Sequence, residues 1–268
     1  MSIPGNNSAS YAQSAGNQRR LVSSLVETSE TTRATTYPSG FAEWLAGVID
    51  GDGSLQLSKQ GYTSLEITMG FEDLALLEYI KSILGGSIKP RSGAKAYRYR
   101  LHNKEGMINL INLISGFIRH SSRLAQLHRV CQKLGISVVE PSSINSSSAW
   151  FAGFFDADGT ITFSLKNGLP QLSVRVANKL LQDVQLYKHV FGGNIYYDSS
   201  QNGYYHWSVQ SRADIIRVSE YFKSFCRSNK SNRFFMLDQY FELRDIKAFK
   251  PDSVYHDKWL TFKLEWSK

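Results

Sequence analysis

One acidic motif occurs twice in this chain, and both copies follow an apolar run of helical length. Residues 41–59 read "FAEWLAGVIDGDGSLQLSK" and residues 148–166 read "SAWFAGFFDADGTITFSLK". The copies are offset by 158 − 52 = 106 positions, which pairs the following residues: Trp44 with Trp150, Gly47 with Gly153, Asp50 with Asp156, and Asp52 with Asp158. The likeness continues downstream, where "LLEYIKSILGGSIKP" (76–90) is similar to "VQLYKHVFGGNIYY" (184–197). A repeat of roughly 110 residues exceeds solenoid periods and indicates two similar half-domains.

Hydrophobic periodicity predicts the same elements in both halves. Residues 41–50 form an apolar helical run, for which Ser39 is the expected N-cap. Two-faced strands follow, because "SLQLSK" and "TITFSLK" alternate apolar with polar residues, with Leu57 and Leu165 predicted on the apolar face. We therefore predict an α+β fold of two pseudo-symmetric αββαββα half-domains, each an antiparallel sheet with helices on its apolar face.

Composition shifts set the expected domain boundaries. The half-domains are predicted at residues 39–134 and 149–268, joined by a Pro- and Ser-rich linker at 135–148. Residues 1–38 are rich in small polar residues and are predicted to be mostly disordered.

Charge and cysteine content narrow the functional classes. The chain carries 31 Lys+Arg against 23 Asp+Glu, a net charge of +8, which suits a polyanionic partner such as nucleic acid. Its two cysteines are too few for a disulfide framework or a four-cysteine zinc site. No apolar run approaches the ~20 residues that span a bilayer, so we expect no membrane association.

The first helix of each half carries small residues four positions apart. These pairs, Gly47 with Gly51 and Gly153 with Ala157, lie on one helix face and permit close packing of two helix backbones. If the two copies pack against each other, the chain is expected to be a monomer, because its own halves supply the twofold interface.

Helix pairing brings Asp52 next to Asp158. Two adjacent carboxylates repel each other unless a cation lies between them, and Mg²⁺ suits such oxygen ligands. An Asp-Gly turn without a ligand is the alternative for a single copy. An EF-hand does not fit, because its sixth and twelfth positions hold Leu55 and Gly61.

The repeated motif resembles that of the LAGLIDADG homing endonucleases, in the single-chain form with two motifs. "LAGVIDGDG" (45–53) and "FAGFFDADG" (151–159) carry the likeness, which extends over about residues 39–268. The resemblance implies a saddle of two antiparallel sheets across the DNA major groove, with the motif helices at the interface. It also implies site-specific, Mg²⁺-dependent hydrolysis of double-stranded DNA that leaves short 3′ overhangs.

The resemblance also implies roles for individual residues. Asp52 and Asp158 would bind metal, with help from the backbone carbonyls of Gly51 and Ala157. A basic residue and a polar residue are expected near the attacking water: Lys230 and Asn178 in the second half, and Arg123 and Glu72 in the first. Mn²⁺ is expected to replace Mg²⁺, whereas Ca²⁺ is expected to support binding without efficient cleavage. Asp50 and Asp156 are expected to cap or bridge the helix pair.

Polar residues of the sheets are the candidates for DNA contact. Strand alternation and the adjoining turns assign to the DNA-binding face Gln56, Ser58, Lys59, Glu66, Thr68, Lys89, Arg91, Arg98, Arg100, Thr162, Ser164, Lys166, Gln171, Ser173, Arg175, Tyr197, His206, Ser208 and Gln210. Such side chains suit base-edge hydrogen bonds and phosphate contacts.

Two further functional classes stay open at this point. An RNA-binding intron maturase, either non-cleaving or bifunctional, would use host intron RNA as its partner, and a transcription-factor-like DNA-binding protein would bind without cutting. The resemblance suggests an intron-encoded origin in a mitochondrion or chloroplast. We expect no protein splicing, since neither end of the sequence carries the residues that splicing requires.

Overall fold

The structure is a computed structural model that describes residues 37–267. The prediction for residues 1–38 therefore falls almost entirely outside the described residues. The first half contains, in chain order, α1 (Phe41–Asp52), β1 (Gly53–Leu57), β2 (Thr63–Gly70), α2 (Leu74–Leu84), β3 (Ser87–Pro90), β4 (Ala96–Leu101), α3 (Lys104–Ile114) and α4 (Ser121–Leu134). The second half contains α5 (Trp150–Asp158), β5 (Gly159–Lys166), β6 (Leu169–Asn178), α6 (Leu181–Phe191), β7 (Asn194–Asp198), β8 (Tyr204–Val209), α7 (Arg212–Phe225), α8 (Leu237–Asp245) and α9 (His256–Trp266).

The two halves repeat one topology. Each forms a four-stranded antiparallel sheet, with strand order β1-β2-β4-β3 in the first half and β5-β6-β8-β7 in the second. The predicted αββαββα order is confirmed in both. The first half then adds α4, and the second adds a 3₁₀ segment at Asn229–Met236 followed by α8 and α9. Another 3₁₀ turn, Phe71–Asp73, directly precedes α2.

The strand faces follow the predicted alternation in the middle of each sheet. Leu65 and Ile67 are fully buried under the helices, while Glu66 and Thr68 lie on the opposite face with Arg100 and Arg98 as cross-strand neighbours. A period of two thus places apolar residues in the core and polar residues on the free face.

The ends of the first strands depart from that prediction. Leu57 and Leu165 are 41% and 67% exposed, although both were expected in the core. Each lies at or next to the hairpin end of its strand, opposite Thr63 and Pro170, where apolar alternation continues without burial.

Strand register and burial also correct three predicted polar-face residues. Tyr197 pairs with Tyr205 and so lies in the row of the helix-covered face, whereas Tyr196 pairs with His206 on the polar face. Ser173 and Ser208 lie in polar-face rows but are buried, because their short side chains sit among larger cross-strand neighbours.

The two motif helices pack directly against each other. A Cβ atom added to Gly47 would lie 2.6 Å from the backbone nitrogen of Phe154, and one added to Gly153 would lie 2.8 Å from the carbonyl carbon of Trp44. Only glycine permits this approach, as the four-residue spacing of small residues predicted. The helix pair therefore joins the halves within a single chain.

The start of α1 differs from the prediction. Gly40, not Ser39, is its N-cap residue, and no side chain caps the helix. Gly40 has φ 74°, a left-handed conformation that a serine would adopt only with strain. The helix also continues through Asp52, so the motif aspartates occupy its last turn.

Aromatic packing fixes the C-terminal helix to the second sheet. Phe163 projects from β5 into a cluster with Tyr240, Trp259, Phe262 and Trp266, at ring-centroid distances of 5.2 to 6.0 Å. The second half thus has a larger aromatic core than the first. Within residues 37–267, no helix has the length and apolar character needed to cross a membrane.

The helix contact leads to a stability prediction. Replacing Gly153 with Leu should lower the free energy of unfolding by about 3 kcal/mol, the upper end of overpacking effects, because the added side chain meets backbone that cannot move aside. Chemical denaturation measures this change. Ala213→Leu, at an exposed site of α7, is the matched control and should unfold like the parent. A Gly153→Leu protein as stable as the parent would contradict the close helix contact.

Candidate active site

Two carboxylates meet where the motif helices end. A Cβ atom added to Gly51 would lie 3.2 Å from Oδ2 of Asp158, which places the C-terminal turns of α1 and α5 side by side. Loss of solvation, with repulsion from Asp158 as the next contribution, raises the pKa of Asp52 to about 6. Loss of solvation likewise raises the pKa of Asp158. The predicted pairing of Asp52 with Asp158 is therefore present.

One basic side chain from each half binds the motif backbone beside these carboxylates. Arg123 donates hydrogen bonds to the carbonyl oxygens of Ile49 (3.1 Å) and Gly51 (3.0 Å). Lys230 donates to the carbonyl oxygens of Ala157 (2.9 Å) and Gly159 (3.0 Å). Both cations oppose the rise in pKa of the two carboxyls. The structure thus places both sequence-predicted basic residues at the acidic pair.

The first aspartate of each motif has a different environment. Asp50 accepts hydrogen bonds from the Arg119 and His120 amides and from the Trp150 indole of the other half (2.8, 3.2 and 2.8 Å). Burial raises its pKa to about 7 despite these donors.

Asp156 mirrors that arrangement in the second half. It accepts from the Trp44 indole (2.8 Å), from the amides of Arg227 and Ser228 (2.8 and 2.9 Å), and from the Ser228 hydroxyl (2.5 Å). Each first aspartate therefore ties its own half's basic loop to the other half's helix, which confirms the bridging role expected for this pair.

The predicted amide residue, Asn178, contacts a buried histidine. Its side-chain nitrogen lies 3.2 Å from Nδ1 of His120, and His120 Nε2 lies 2.8 Å from the Tyr187 hydroxyl. If Asn178 donates, Nδ1 accepts and Nε2 carries the proton toward Tyr187. The imidazole also packs edge-on against Phe154, at a centroid distance of 4.2 Å. Burial lowers the pKa of His120 to about 3, so the ring is neutral.

The structure brings Asp73, not Glu72, to the first half's carboxylate. Glu72 is exposed in the 3₁₀ turn before α2. Asp73 adds to the repulsion that raises the pKa of Asp52, and its Oδ1 accepts a 2.7 Å hydrogen bond from the Asn229 amide. The two acidic residues are adjacent in sequence, so spacing alone did not show which of them lies near Asp52.

Ion pairs organise the polar face of the first sheet. Glu66 lies 3.7 Å from Arg98 and 3.3 Å from Arg100, and it accepts a hydrogen bond from Gln56 at 3.4 Å. Thr68 and Lys89 flank Arg98 in the strand register. Ser58, Lys59 and Arg91 lie in exposed turns at the ends of β1 and β3.

The second sheet presents a comparable surface. Arg175 is exposed between Thr160 and Ser208, and Gln171 donates a 3.0 Å hydrogen bond to Gln210. The other predicted residues on this face are Thr162, Ser164, Lys166 and His206. Tyr196, which the sequence analysis missed, stacks on His206 at 5.3 Å.

The donor set fits a hard divalent cation. Within residues 37–267, no three His, Cys, Asp or Glu side chains cluster as metal ligands, so a protein-only cage is absent from the described part. Mg²⁺ normally retains several waters and needs only one or two carboxylates. Asp52 and Asp158 provide two, and the carbonyls of Gly51 and Ala157 each keep one lone pair beyond that used by Arg123 or Lys230.

These features define a class of proteins in which two fused, pseudo-symmetric halves place paired motif carboxylates between two polar-faced sheets. The chain belongs to the LAGLIDADG endonuclease family, whose sequence pattern matches residues 45–134 and 151–241. Both matched segments begin inside a motif helix and together cover more than half of the chain.

Two fungal relatives align with most of this chain. Over 252 residues the chain is 44% identical to a probable intron-encoded endonuclease, aI2, of Debaryomyces hansenii, an alignment covering 87% of this chain and 38% of that protein. Over 234 residues it is 45% identical to the intron-encoded RNA maturase bI4 of Saccharomyces cerevisiae, an alignment covering 85% of this chain and 36% of that protein. The chain thus spans less than two fifths of the length of either relative.

Solved structures share the fold. The LAGLIDADG homing endonuclease I-LtrWI, in a crystal structure bound to its target DNA, superposes with a TM-score of 0.65 over 84% of this chain and 96% of that one. The sequence identity is 16%, so the likeness concerns the arrangement of helices and strands.

The buried histidine leads to a prediction about acid stability. An unfolded chain protonates His120 below its ordinary pKa of 6.5, whereas the folded protein holds that pKa near 3, so stability is lost as pH falls below about 6.5. At pH 5 the loss is about 2 kcal/mol relative to pH 7.5. His120→Gln should remove this component from the pH dependence of unfolding, measured by denaturant titration.

His189→Gln is the matched control, because His189 is exposed on α6. This variant should keep the parent's pH dependence. If His120→Gln also keeps it, the imidazole is not held neutral by burial.

Proposed function

We propose that this chain is a site-specific endonuclease that hydrolyses one phosphodiester bond in each strand of a DNA duplex and leaves short 3′ overhangs. The observation that carries the proposal is the meeting of Asp52 and Asp158 between Arg123 and Lys230, at the point where each half's first strand begins. The fold shared with a DNA-bound homing endonuclease supports it.

Mg²⁺ is the proposed cofactor, held by Asp52, Asp158 and the carbonyls of Gly51 and Ala157, with Mn²⁺ able to replace it. When bound, the metal would lower the pKa of a coordinated water and stabilise charge on the phosphate and leaving oxygen. The protein's own contribution is to bring two carboxylates together before substrate arrives. Burial, with repulsion from Asp158 as the next contribution, raises the pKa of Asp52, and a bound cation would offset both by favouring the ionised carboxylate.

Arg123 and Lys230 supply positive charge on either side of the acidic pair. Their hydrogen bonds to motif carbonyls fix both cations against rigid helix ends, so little reorganisation is needed when a phosphate approaches. Both side chains bridge two carbonyls, but Arg123 does so with a planar fork and Lys230 with a compact point charge. We therefore infer that the two strands are cut at different rates.

The two polar sheet faces are the proposed DNA-binding surface. Arg98 and Arg100 lie on β4 and Arg175 lies on β6, in the polar-face rows of the two sheets, and the net charge of +8 favours binding to a polyanion. Since both halves lie in one chain and their motif helices pair internally, the active form is proposed to be a monomer. The relatives' names describe intron-encoded proteins, and a mitochondrial location is proposed by analogy.

A second function is favoured by one observation, the 45% identity to a protein named as an RNA maturase. Maturase activity would require binding of host intron RNA, with or without DNA cleavage. Splicing of the intron by a variant that lacks both motif carboxylates would identify such an activity, because RNA folding assistance needs no phosphodiester hydrolysis.

Removing the metal-binding carboxylates tests the proposed reaction. Asp52→Asn and Asp158→Asn should each abolish double-strand cleavage in Mg²⁺ while leaving DNA affinity within about tenfold, because these groups hold metal rather than bases. Asp257→Asn, on the exposed face of α9, is the control and should cut like the parent. Gel shifts and cleavage assays on a duplex selected from a randomised library measure both properties.

Cleavage by the double variant Asp52→Asn/Asp158→Asn would overturn the metal-nuclease proposal. In the same assay Ca²⁺ should support binding by the parent without efficient cutting, since it organises water less tightly than Mg²⁺.

A further prediction concerns sequence reading by the sheet. Arg100→Ala should weaken binding by about 1–3 kcal/mol and relax preference at one base pair, as loss of a bidentate base contact does. Val174→Ala, on the buried face of β6, should lower stability without changing base preference. Affinity profiling against all single-base variants of the target, at two salt concentrations, separates base contacts from phosphate contacts. If alanine variants of Arg98, Arg100 and Arg175 keep the parent's preference and salt dependence, the DNA lies elsewhere.

A further inference from the structure

Two carboxylates outside the metal-binding pair link the halves across the active site. Asp73 lies at the start of α2 in the first half, and Asp183 lies in the first turn of α6 in the second. Each accepts a hydrogen bond from the loop that carries the other half's basic residue. Neither was among the residues that the sequence indicated.

Asp73 occupies a capping position without capping its own helix. It is the N-cap residue of α2, where an aspartate ordinarily accepts an amide of the first turn, yet its side chain makes no such bond. Its Oδ1 instead accepts the Asn229 amide at 2.7 Å, across 156 positions of sequence. Asn229 directly precedes Lys230, so this bond fixes the backbone from which Lys230 projects.

Asp183 makes the corresponding contact in the opposite direction. It is buried and accepts from the Ser121 hydroxyl at 3.0 Å and from the Ser121 amide at 3.4 Å. Ser121 begins α4 and lies two residues before Arg123. The bond therefore fixes the helix turn that carries Arg123.

Each basic loop is consequently held by two carboxylates, one from each half. Asp50 and Asp183 hold residues 119–121, while Asp156 and Asp73 hold residues 227–229. Bonds from backbone amides to an ionised carboxylate are stronger than those to a neutral acceptor, and they orient the loop as well as stabilise it. Loss of the cross-half carboxylate removes a direct bond to the loop backbone, at the residue that directly precedes Lys230 or two residues before Arg123.

We propose that Asp73 and Asp183 are positioning residues that act on the other half of the molecule. Asp73, in the first half, holds Lys230 against the motif carbonyls of the second half, and Asp183, in the second half, holds Arg123 against those of the first. The inference rests on the proposed nuclease function for its effect on cleavage, whereas the bracing itself is a property of the folded chain. In consequence, each half controls the cation that serves the other half's carboxylate.

Amide hydrogen exchange tests the bracing independently of activity. In Asp73→Ala, exchange of the Asn229 amide should accelerate roughly 10-fold or more, as expected for loss of a charge-assisted bond, while the amides of residues 119–121 keep the parent's rates. Asp183→Ala should give the reverse pattern. Asp73→Asn and Asp183→Asn retain an acceptor oxygen without its charge and should exchange at rates between those of the parent and the alanine variants, and Asp257→Ala should change neither loop.

Strand-resolved cleavage tests the functional consequence. With each strand of the duplex labelled separately, Asp73→Ala should slow by roughly 10-fold the cut that Lys230→Ala also slows, and should leave the other cut nearly unchanged. The double variant Asp73→Ala/Lys230→Ala should be no slower than Lys230→Ala alone. Asp183→Ala should slow the opposite strand, and each Asn variant should recover part of the lost rate.

The two assays separate the possible failures. If the parent cuts neither strand, the nuclease proposal fails while the exchange rates still decide the bracing. If Asp73→Asn is as slow as Asp73→Ala, the charge of Asp73 near Asp52 matters rather than its hydrogen bond, and the positioning role is wrong. Equal slowing of both strands, or unchanged exchange at Asn229 and Ser121, would also overturn it.

Discussion

The close approach of two helix backbones is the constraint on which the rest of this structure depends. At Gly47 and Gly153 each helix meets the main chain of the other, at a distance that leaves no room for a side chain. This contact sets the separation of the last helical turns and hence of Asp52 and Asp158. It also brings each tryptophan indole within hydrogen-bond distance of the other half's first aspartate.

Each motif contains two aspartates that lie two residues apart, about 3 Å along the helix axis, in different environments. Asp50 and Asp156 are each surrounded by N–H or O–H donors that hold the neighbouring loops in place. Asp52 and Asp158 face each other and two cations that are themselves bound to carbonyls. The first pair is satisfied by the protein alone, whereas the second pair retains unused acceptor capacity for a metal.

The repeat, the element order and the helix pairing could all be predicted from the sequence, because each depends on local spacing. Gly47, Gly153 and the alternation through Leu65 and Ile67 carry that information directly. The supporting residues of the site could not be predicted in the same way. Asp73 meets Asn229 across 156 positions, and His120 meets Asn178 across the interface between halves, so only the folded chain brings them together. The expectations for Ser39 and Tyr197 were wrong for other reasons. A glycine in the left-handed conformation is the N-cap in place of Ser39, and the strand register places Tyr197 on the face opposite to the one expected.

The environment of His120 shows that the two halves have ceased to be equivalent. In a hypothetical dimer of two first halves, each tryptophan indole could still donate to the other copy's first aspartate, because Trp44 and Trp150 occupy matching positions. His120, however, depends on Phe154 and Tyr187, whose counterparts by repeat position are Val48 and Ile80. Two copies of the first half would leave the buried imidazole without its hydroxyl partner. The duplication has therefore diverged, and the first half alone does not contain the contacts that bury His120 in a homodimer of the same architecture.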